Sequence, residues 1–231
     1  MLTVEDLIIR QDDFTLRGAF ALQIGAVVAV IGPSGGGKST LLNVIAGFFD
    51  PAAGRVLWDG RDITTLPPAQ RPVAMLFQDN NLFPHLTVAQ NVGLGLRPDL
   101  RLDEQERRRV AQALTRVGLE GFETRKPSAL SGGQQGRVAL ARVLVQRRPL
   151  ILLDEPFAAL GPALKAEMLD LVANLAAEIG ATVLIVSHDP ADARRIASQV
   201  ILVADGVANP PQPTAALLDN PPPALAAYLG E

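Results

Sequence analysis

Nine consecutive residues, Gly32-Pro33-Ser34-Gly35-Gly36-Gly37-Lys38-Ser39-Thr40, carry the strongest chemical signal in the chain. They fit the phosphate-loop pattern G-x-x-x-x-G-K-[ST] through Gly32, Gly37, Lys38 and Ser39. Glycines in such a loop let backbone N–H groups converge on phosphate oxygens. A helix that begins there favours negative charge at its N-terminus. Lys38 would reach the β- and γ-phosphates, and the Ser39 hydroxyl would ligate magnesium. The competing reading is a chance glycine-rich turn, which leaves the apolar run before the loop and the helix after it without a reason.

Two more clusters complement the loop. Leu150-Ile151-Leu152-Leu153-Asp154-Glu155 reads as a buried strand ending in two acids. Asp154 can bind magnesium through water, and Glu155 can polarise an attacking water as general base. Alone, such a pair would more simply cap the next element. Downstream of a phosphate loop the catalytic reading is preferred. Leu130-Ser131-Gly132-Gly133-Gln134 ends twenty positions before Asp154 and opens a helix. Its N–H groups and the Ser131 hydroxyl form an anion site; alone, Ser131 would be an N-cap and the glycines a turn. One chain therefore carries two different halves of a nucleotide site, which makes sense if two chains close around the nucleotide.

The elements that must hold these groups follow from patterning. Residues 1–31 alternate strand-like segments with charged turns, and 27–31 form a strand that runs into the loop. Residues 39–47 read as a helix stopped by Gly47. Asp59-Gly60, between apolar runs in 54–63, signals a hairpin. Residues 73–77 form a short strand ending at Gln78. The texture then becomes helical over 79–148. Within 103–117, Val110, Ala113, Leu114 and Val117 share one face, with Asp103 as N-cap and Glu106 three positions later. A second helix spans 134–145. Strand texture returns at 150–153, 182–187 and 200–204, with helices at 162–179 and, capped by Asp189 before Pro190, through Ala197. This β-α-β rhythm implies a parallel sheet. The proline-rich tail, 209–231, has room for short helices around 214–218 and 224–229.

Composition narrows the function classes. Of 231 residues, 48% are hydrophobic and 19% charged, which suits one packed domain or a core with an inserted subdomain. The net charge of -3 and the pI near 5.5 argue against general nucleic-acid binding. With no cysteine, disulfides, thiolate metal sites and cysteine nucleophiles are excluded. The start, Met1 to Asp6, lacks a basic n-region and an apolar signal stretch. The apolar runs fall far short of the ~20 residues that span a bilayer. The expectation is a soluble, cytoplasmic protein whose membrane role, if any, comes through a partner.

In order along the chain, residues 32–40, Gln78, 130–134, 150–155 and His188 resemble the Walker A, Q-loop, signature, Walker B and H-loop of the ABC-type ATPases. The resemblance covers nearly the whole chain, and the signature is specific to that superfamily. It implies an α/β fold with a RecA-like P-loop core, an N-terminal antiparallel β subdomain and an inserted α-helical subdomain. The domain would span 1–231, with its core at 1–78 and 149–208, the helical part at 79–148 and a short tail at 209–231. ATP and Mg2+ are the implied ligands. A head-to-tail homodimer would hold two ATPs, each between one chain's 32–40 loop and the other's Ser131, Gly132, Gly133 and Gln134. Glu155, His188 and Gln78 would be catalytic, and Ser39, Gln78 and Asp154 would serve the metal. His188, 33 residues past Glu155, would contact the γ-phosphate. Gln78 would link the core to the helical block. His85 is expected on the surface without a catalytic role.

Three departures from the family pattern stand out. Gln11 occupies the place of an adenine-stacking aromatic; Phe14 is either its substitute or core. Poor discrimination between ATP and GTP is the expectation if nothing stacks on the base. The turn Ala158-Ala159-Leu160-Gly161 lacks the carboxylate that helps couple the two sites, although glycine is a tolerable N-cap before Pro162. Gly136 weakens the first turn of its helix by at most ~1 kcal/mol. The run 71–96 is most similar to that of bacterial thiamine or thiamine pyrophosphate importer ATPases. Within it, residues 79–88 correspond to the segment that touches the membrane subunits, and Leu82, Phe83 and Leu86 are either that contact or ordinary core. The resemblance thus implies permease subunits as partners, a periplasmic solute-binding protein indirectly, no nucleic acid, and a peripheral place on the cytoplasmic face of the inner membrane. Rival readings are an importer ATPase for iron, sulfate, polyamine or sugar, a soluble ABC ATPase, and a P-loop GTPase or kinase. The last lacks support, since no N-K-x-D or D-x-x-G motif occurs.

Overall fold

The structure is a computed structural model that describes residues 1–79, 81–158 and 160–229. Asn80, in the run after Gln78, and Ala159, in the turn after Glu155, lie outside the described residues, as do the last two positions of the tail.

The chain opens with β1 (Leu2–Gln11) and β2 (Phe14–Leu22), an antiparallel hairpin. Leu2, Val4, Leu7 and Ile9 of β1 are buried, and the register shifts between Val4 and Leu7. β3 (Val27–Ile31) leads through the glycine-rich loop into α1 (Lys38–Ala46). β4 (Ala53–Trp58) and β5 (Arg61–Asp62) form the second hairpin. Its turn residues, Asp59 and Gly60, both have positive φ, the geometry that Asp-Gly favours.

β6 (Val73–Leu76) is followed by α2 (Val88–Gly93), α3 (Glu104–Arg116) and α4 (Gly132–Leu144). Each of these three helices begins with a capping box: Thr87 with Gln90, Asp103 with Glu106, and Ser131 with Gln134. The last box sets the start of α4 at Gly132, two residues before the 134 expected from patterning. β7 (Leu150–Asp154), α5 (Pro162–Ile179), β8 (Thr182–Val186), α6 (Pro190–Ile196) and β9 (Gln199–Ala204) then alternate. The chain finishes with β10 (Val207–Ala208), β11 (Gln212–Pro213), α7 (Thr214–Asp219) and α8 (Pro223–Leu229).

The strands join in the order β5-β4-β1-β2-β10-β9-β3-β8-β7-β6, with β11 on β9. The stretch β9-β3-β8-β7-β6 is parallel throughout, and β1, β2, β4 and β5 pair antiparallel. β7 and β8 are buried at every position, as a parallel sheet covered on both faces requires. One face packs Ile31, Ile151 and Leu153 against Met168, Leu169 and Val172 of α5. The other packs Val28, Val30, Leu150 and Leu152 against Leu41, Leu42 and Ile45 of α1. A third core lies among the helices between β6 and β7, where Val88, Val92, Val110, Leu114, Val117 and Val138 meet.

Candidate active site

The glycine-rich loop leaves the sheet at Gly32, whose φ is 145°. A Cβ there would lie 2.0 Å from the Val203 carbonyl oxygen of β9, so the loop hugs the neighbouring strand only because the residue is glycine. Gly37, with φ of 97°, precedes the first residue of α1, and a Cβ on it would meet the Phe14 ring at 2.5 Å. Phe14 therefore packs directly against the loop. Lys38 is buried, and its Nζ donates to the carbonyls of Gly32 and Pro33, both at 2.8 Å. Burial lowers the Lys38 pKa, and the charges of Glu155 and Asp154 pull it back. The Gly36 N–H donates to the Pro33 carbonyl at 3.1 Å, closing the inner turn.

The acidic pair arrives on β7. Ser39 Oγ donates to Asp154 Oδ1 at 2.9 Å, which joins the start of α1 to the end of that strand. Burial pushes the Asp154 carboxyl up; the Ser39 hydrogen bond opposes this, Glu155 adds to it and Lys38 opposes it. β7 and β8 end side by side, with Asp154 opposite Val186. Glu155 turns off the strand at φ 45°, and its N–H donates to the Val186 carbonyl at 3.2 Å. That turn brings Glu155 Oε2 to 3.6 Å from His188 Nδ1.

A cleft of about 600 Å³ opens over the loop. Ser34, Gly35, Gly37, Lys38, Ser39, Thr40, Gln78 and Glu155 line it, together with Gln11, Asp12 and Phe14. Asp154 joins the group through Ser39, and Gly32, Pro33 and Gly36 shape the loop behind Lys38. His188 lies on the other side of Glu155, lining a small hollow with Lys165 and Asp192. Ser131, Gly132, Gly133 and Gln134 are not among the described residues lining the cleft. Ser131 Oγ instead accepts from the Gln134 N–H at 3.3 Å, and Gln134 Oε1 accepts from the Ser131 N–H at 3.0 Å.

The donor set bears on a metal. No cluster of three or more His, Cys, Asp or Glu side chains suited to a metal occurs among the described residues. What converges instead is a hydroxyl, a carboxylate and an amide: Ser39, Asp154 and Gln78. Such sparse, hard oxygen donors fit Mg2+, which keeps several waters and shares its coordination with substrate phosphates.

Other placements answer the sequence-based alternatives. Phe14 is half-buried and does both jobs in question, lining the cleft and packing on the core beside Leu16. Thr40 Oγ1 donates to Gln11 Oε1 at 3.5 Å, which ties Gln11 to the loop. Gly161 is the N-cap of α5 with no side-chain bond, and Gly136 is buried in α4. After Gln78, Leu82 packs inward, whereas Phe83 is 46% exposed and its ring meets that of exposed His85.

Several supporting residues carried no visible sequence signal. Buried Asn91 accepts from the Phe83 N–H and donates to the carbonyls of Phe83, Leu86 and Thr87, so it shapes the turn presenting Phe83. Arg71, 1% exposed, donates to the carbonyls of Val44 and Ile45 at the end of α1 and to those of Thr64 and Leu66. Lys165 pairs with Asp189 and Asp192 at 2.9 and 2.7 Å, beside His188.

Residues 17–158 match the protein family described as ABC transporter. The chain is 65% identical over 230 residues to the thiamine import ATP-binding protein ThiQ of Cereibacter sphaeroides, covering all of both chains. It is 66% identical, again over 230 residues and all of both chains, to the protein of that name from Ruegeria sp. strain TM1040. Among solved structures it resembles the dimeric, post-hydrolysis ATP-binding cassette MJ0796 bound to ADP and Pi, at 32% identity, with a TM-score of 0.81 and coverage of 93% of this chain and 99% of that one. A similar likeness holds to cbiO1 from Clostridium perfringens, part of the cbiONQ transporter complex, at 32% identity and a TM-score of 0.84 over 95% and 90% of the two chains.

Proposed function

The chain belongs to the ABC transporter family, and from that premise we propose that it is the ATP-hydrolysing subunit of an importer for thiamine or thiamine pyrophosphate. The observation that carries the reading is the convergence of Lys38, Ser39, Gln78 and Glu155 on one cleft beside the ends of β3, β6 and β7. The full-length identity to two thiamine import ATP-binding proteins supports the cargo.

In this reading the loop N–H groups and Lys38 bind the β- and γ-phosphates, with Lys38 exchanging its carbonyl partners for phosphate oxygens. Ser39, Asp154 and Gln78 hold Mg2+, which supplies charge neutralisation at the transferring phosphate when bound. Glu155 takes a proton from the attacking water as its oxygen bonds to the γ-phosphorus. The bond from that phosphorus to the bridging oxygen breaks, and ADP leaves with the electron pair. His188, beside Glu155, contacts the γ-phosphate. Phe14 and Gln11 form the outer wall where the base enters.

A second copy of the chain presents its own Ser131, Gly132, Gly133 and Gln134 across the cleft. The N-terminus of α4 is an anion site, and those residues do not line their own chain's cleft. Residues 1–231 act as one ATPase unit, with 79–148 as its helical subdomain. No helix among the described residues is long and apolar enough to cross a membrane, so transport requires integral permease subunits. The exposed Phe83 on the Asn91-held turn suits an apolar contact with them at the cytoplasmic face of the inner membrane. A periplasmic solute-binding protein acts only through that permease.

Two measurements test the reading. Glu155→Gln is expected to bind ATP and dimerise, with turnover reduced by about 100-fold or more; near wild-type turnover would remove the general-base role. Vesicles carrying the chain with its permease are expected to take up labelled thiamine in preference to sugars, sulfate or metals. Preferential uptake of another solute would overturn the cargo and leave the ATPase standing.

A further inference from the structure

His188 is poorly held by its own side chain. The imidazole is 52% exposed, and the contact that aims it is Glu155 Oε2 at 3.6 Å. Its orientation must therefore come from the backbone that carries it. That backbone is anchored at three points. Ser187 Oγ donates to the buried Asp192 carboxylate at 2.5 Å and accepts from the Asp189 N–H at 3.1 Å. Lys165 of α5 bridges Asp189 and Asp192. The third anchor comes from the C-terminal tail, where Tyr228 donates its O–H to the His188 carbonyl at 2.5 Å.

We infer that Tyr228, delivered by α8, is a positioning residue for His188 and that the C-terminal tail is thereby part of the hydrolytic machinery. The inference rests on the reading of His188 as a γ-phosphate contact. Its support is geometric. Leu225, one turn before Tyr228, is fully buried in the same core as Val183 and Ile185 of β8 and Ala193 of α6. The tail is thus docked on the elements that flank His188, and Tyr228 packs against that core while its hydroxyl reaches the carbonyl. Tyr228 is the single tyrosine of the chain, on a helix otherwise made of Pro, Ala and Leu. Burial, then the charges of Glu155 and Asp189, push the phenol pKa up, so the hydroxyl remains a donor at neutral pH. Without it, the His188 peptide loses one of its three anchors while its Asp189 N–H stays on Ser187, so the imidazole is held less firmly beside Glu155.

The test uses the full chain and three variants' readouts. His188→Ala first checks the premise: wild-type turnover there overturns the role of His188 itself. Tyr228→Phe keeps the ring and removes only the hydroxyl. It is expected to lower kcat about fivefold, as loss of one hydrogen bond allows, with KM for ATP unchanged. The chain has two histidines, so 15N-histidine NMR resolves both, and His188→Ala assigns them. In Tyr228→Phe the His188 ring signal is expected to shift or broaden while that of His85 stays fixed. Unchanged kcat with a slow His188→Ala variant overturns the inference alone. A fall in kcat with an unmoved His188 signal, or an equal fall in the His188→Ala background, also overturns it, because the effect then does not pass through His188.

Discussion

Gly32 tolerates no side chain. Its φ of 145° is a region that other residues adopt at a cost of roughly 1–3 kcal/mol, and a methyl group would sit 2.0 Å from the Val203 carbonyl. Gly32→Ala is therefore expected to lower the denaturant midpoint and to weaken ATP binding together, because the same carbonyl of Gly32 holds Lys38. A variant with a native midpoint and unchanged ATP affinity would show that the loop has room the structure denies it. At this scale the sequence was most informative. The spacing of Gly32, Gly37, Lys38 and Ser39 announces backbone conformation and charge at once, since each residue type has one reason to be there. Phe14 was ambiguous for the opposite reason. An aromatic residue is equally at home in a core or a cleft, and here it is in both.

Single elements are held by interactions of very different reach. The three capping boxes close within four residues, so Asp103 with Glu106 could be read directly from the chain. Arg71 and Lys165 could not, because their partners are brought by other elements: the end of α1 for Arg71, the start of α6 for Lys165. Lys165 gives this contrast a measurable form. Burial alone would lower its pKa, but the hydrogen bonds and charges of Asp192 and Asp189 outweigh it, and the pKa is raised. Asp189 moves the other way, lowered chiefly by the Lys165 hydrogen bond. The stability from a raised lysine is present below its unfolded pKa and lost as pH rises through the folded one. The stability from a lowered carboxylate is present above its unfolded pKa and lost as pH falls through the folded one. Lys165→Met should therefore cost most between roughly pH 4 and pH 10, with the gap to wild type closing at both ends. The buried Asp192 arm accounts for about 1.5–3 kcal/mol of that cost; the Asp189 arm, 41% exposed, adds less than about 1 kcal/mol. Chemical denaturation across pH measures the gap, and a pH-independent difference would mean that packing rather than charge fixes the His188 turn.

At the scale of the whole molecule, the sequence disclosed the alternation of strands and helices but not the sheet order. The two-residue strands β10 and β11 carry too little pattern to be seen, yet β10 is what joins the antiparallel hairpins to the parallel core. The two halves of the proposed site were legible as motifs, but residues 131–134 do not line the cleft of their own chain, and the proposal gives them to a second copy. A two-chain site makes a prediction that a one-chain site cannot. Lys38→Ala disables the loop half. Gly132→Glu disables the signature half and leaves the fold alone, since a Cβ at Gly132 meets nothing within 4 Å and an acid in the first turn suits the helix dipole; the added carboxylate repels the partner's phosphates. Each variant alone is expected to be inactive. Mixed in equal amounts, half of the dimers pair one variant with the other. In these, the Gly132→Glu chain's intact loop meets the Lys38→Ala chain's intact signature. The second site of the same dimer is doubly defective. Turnover should therefore recover to about a quarter of wild type when the two sites work independently, and to less when hydrolysis requires both. No recovery in the mixture, with both variants folded and binding each other, would place the whole site within one chain.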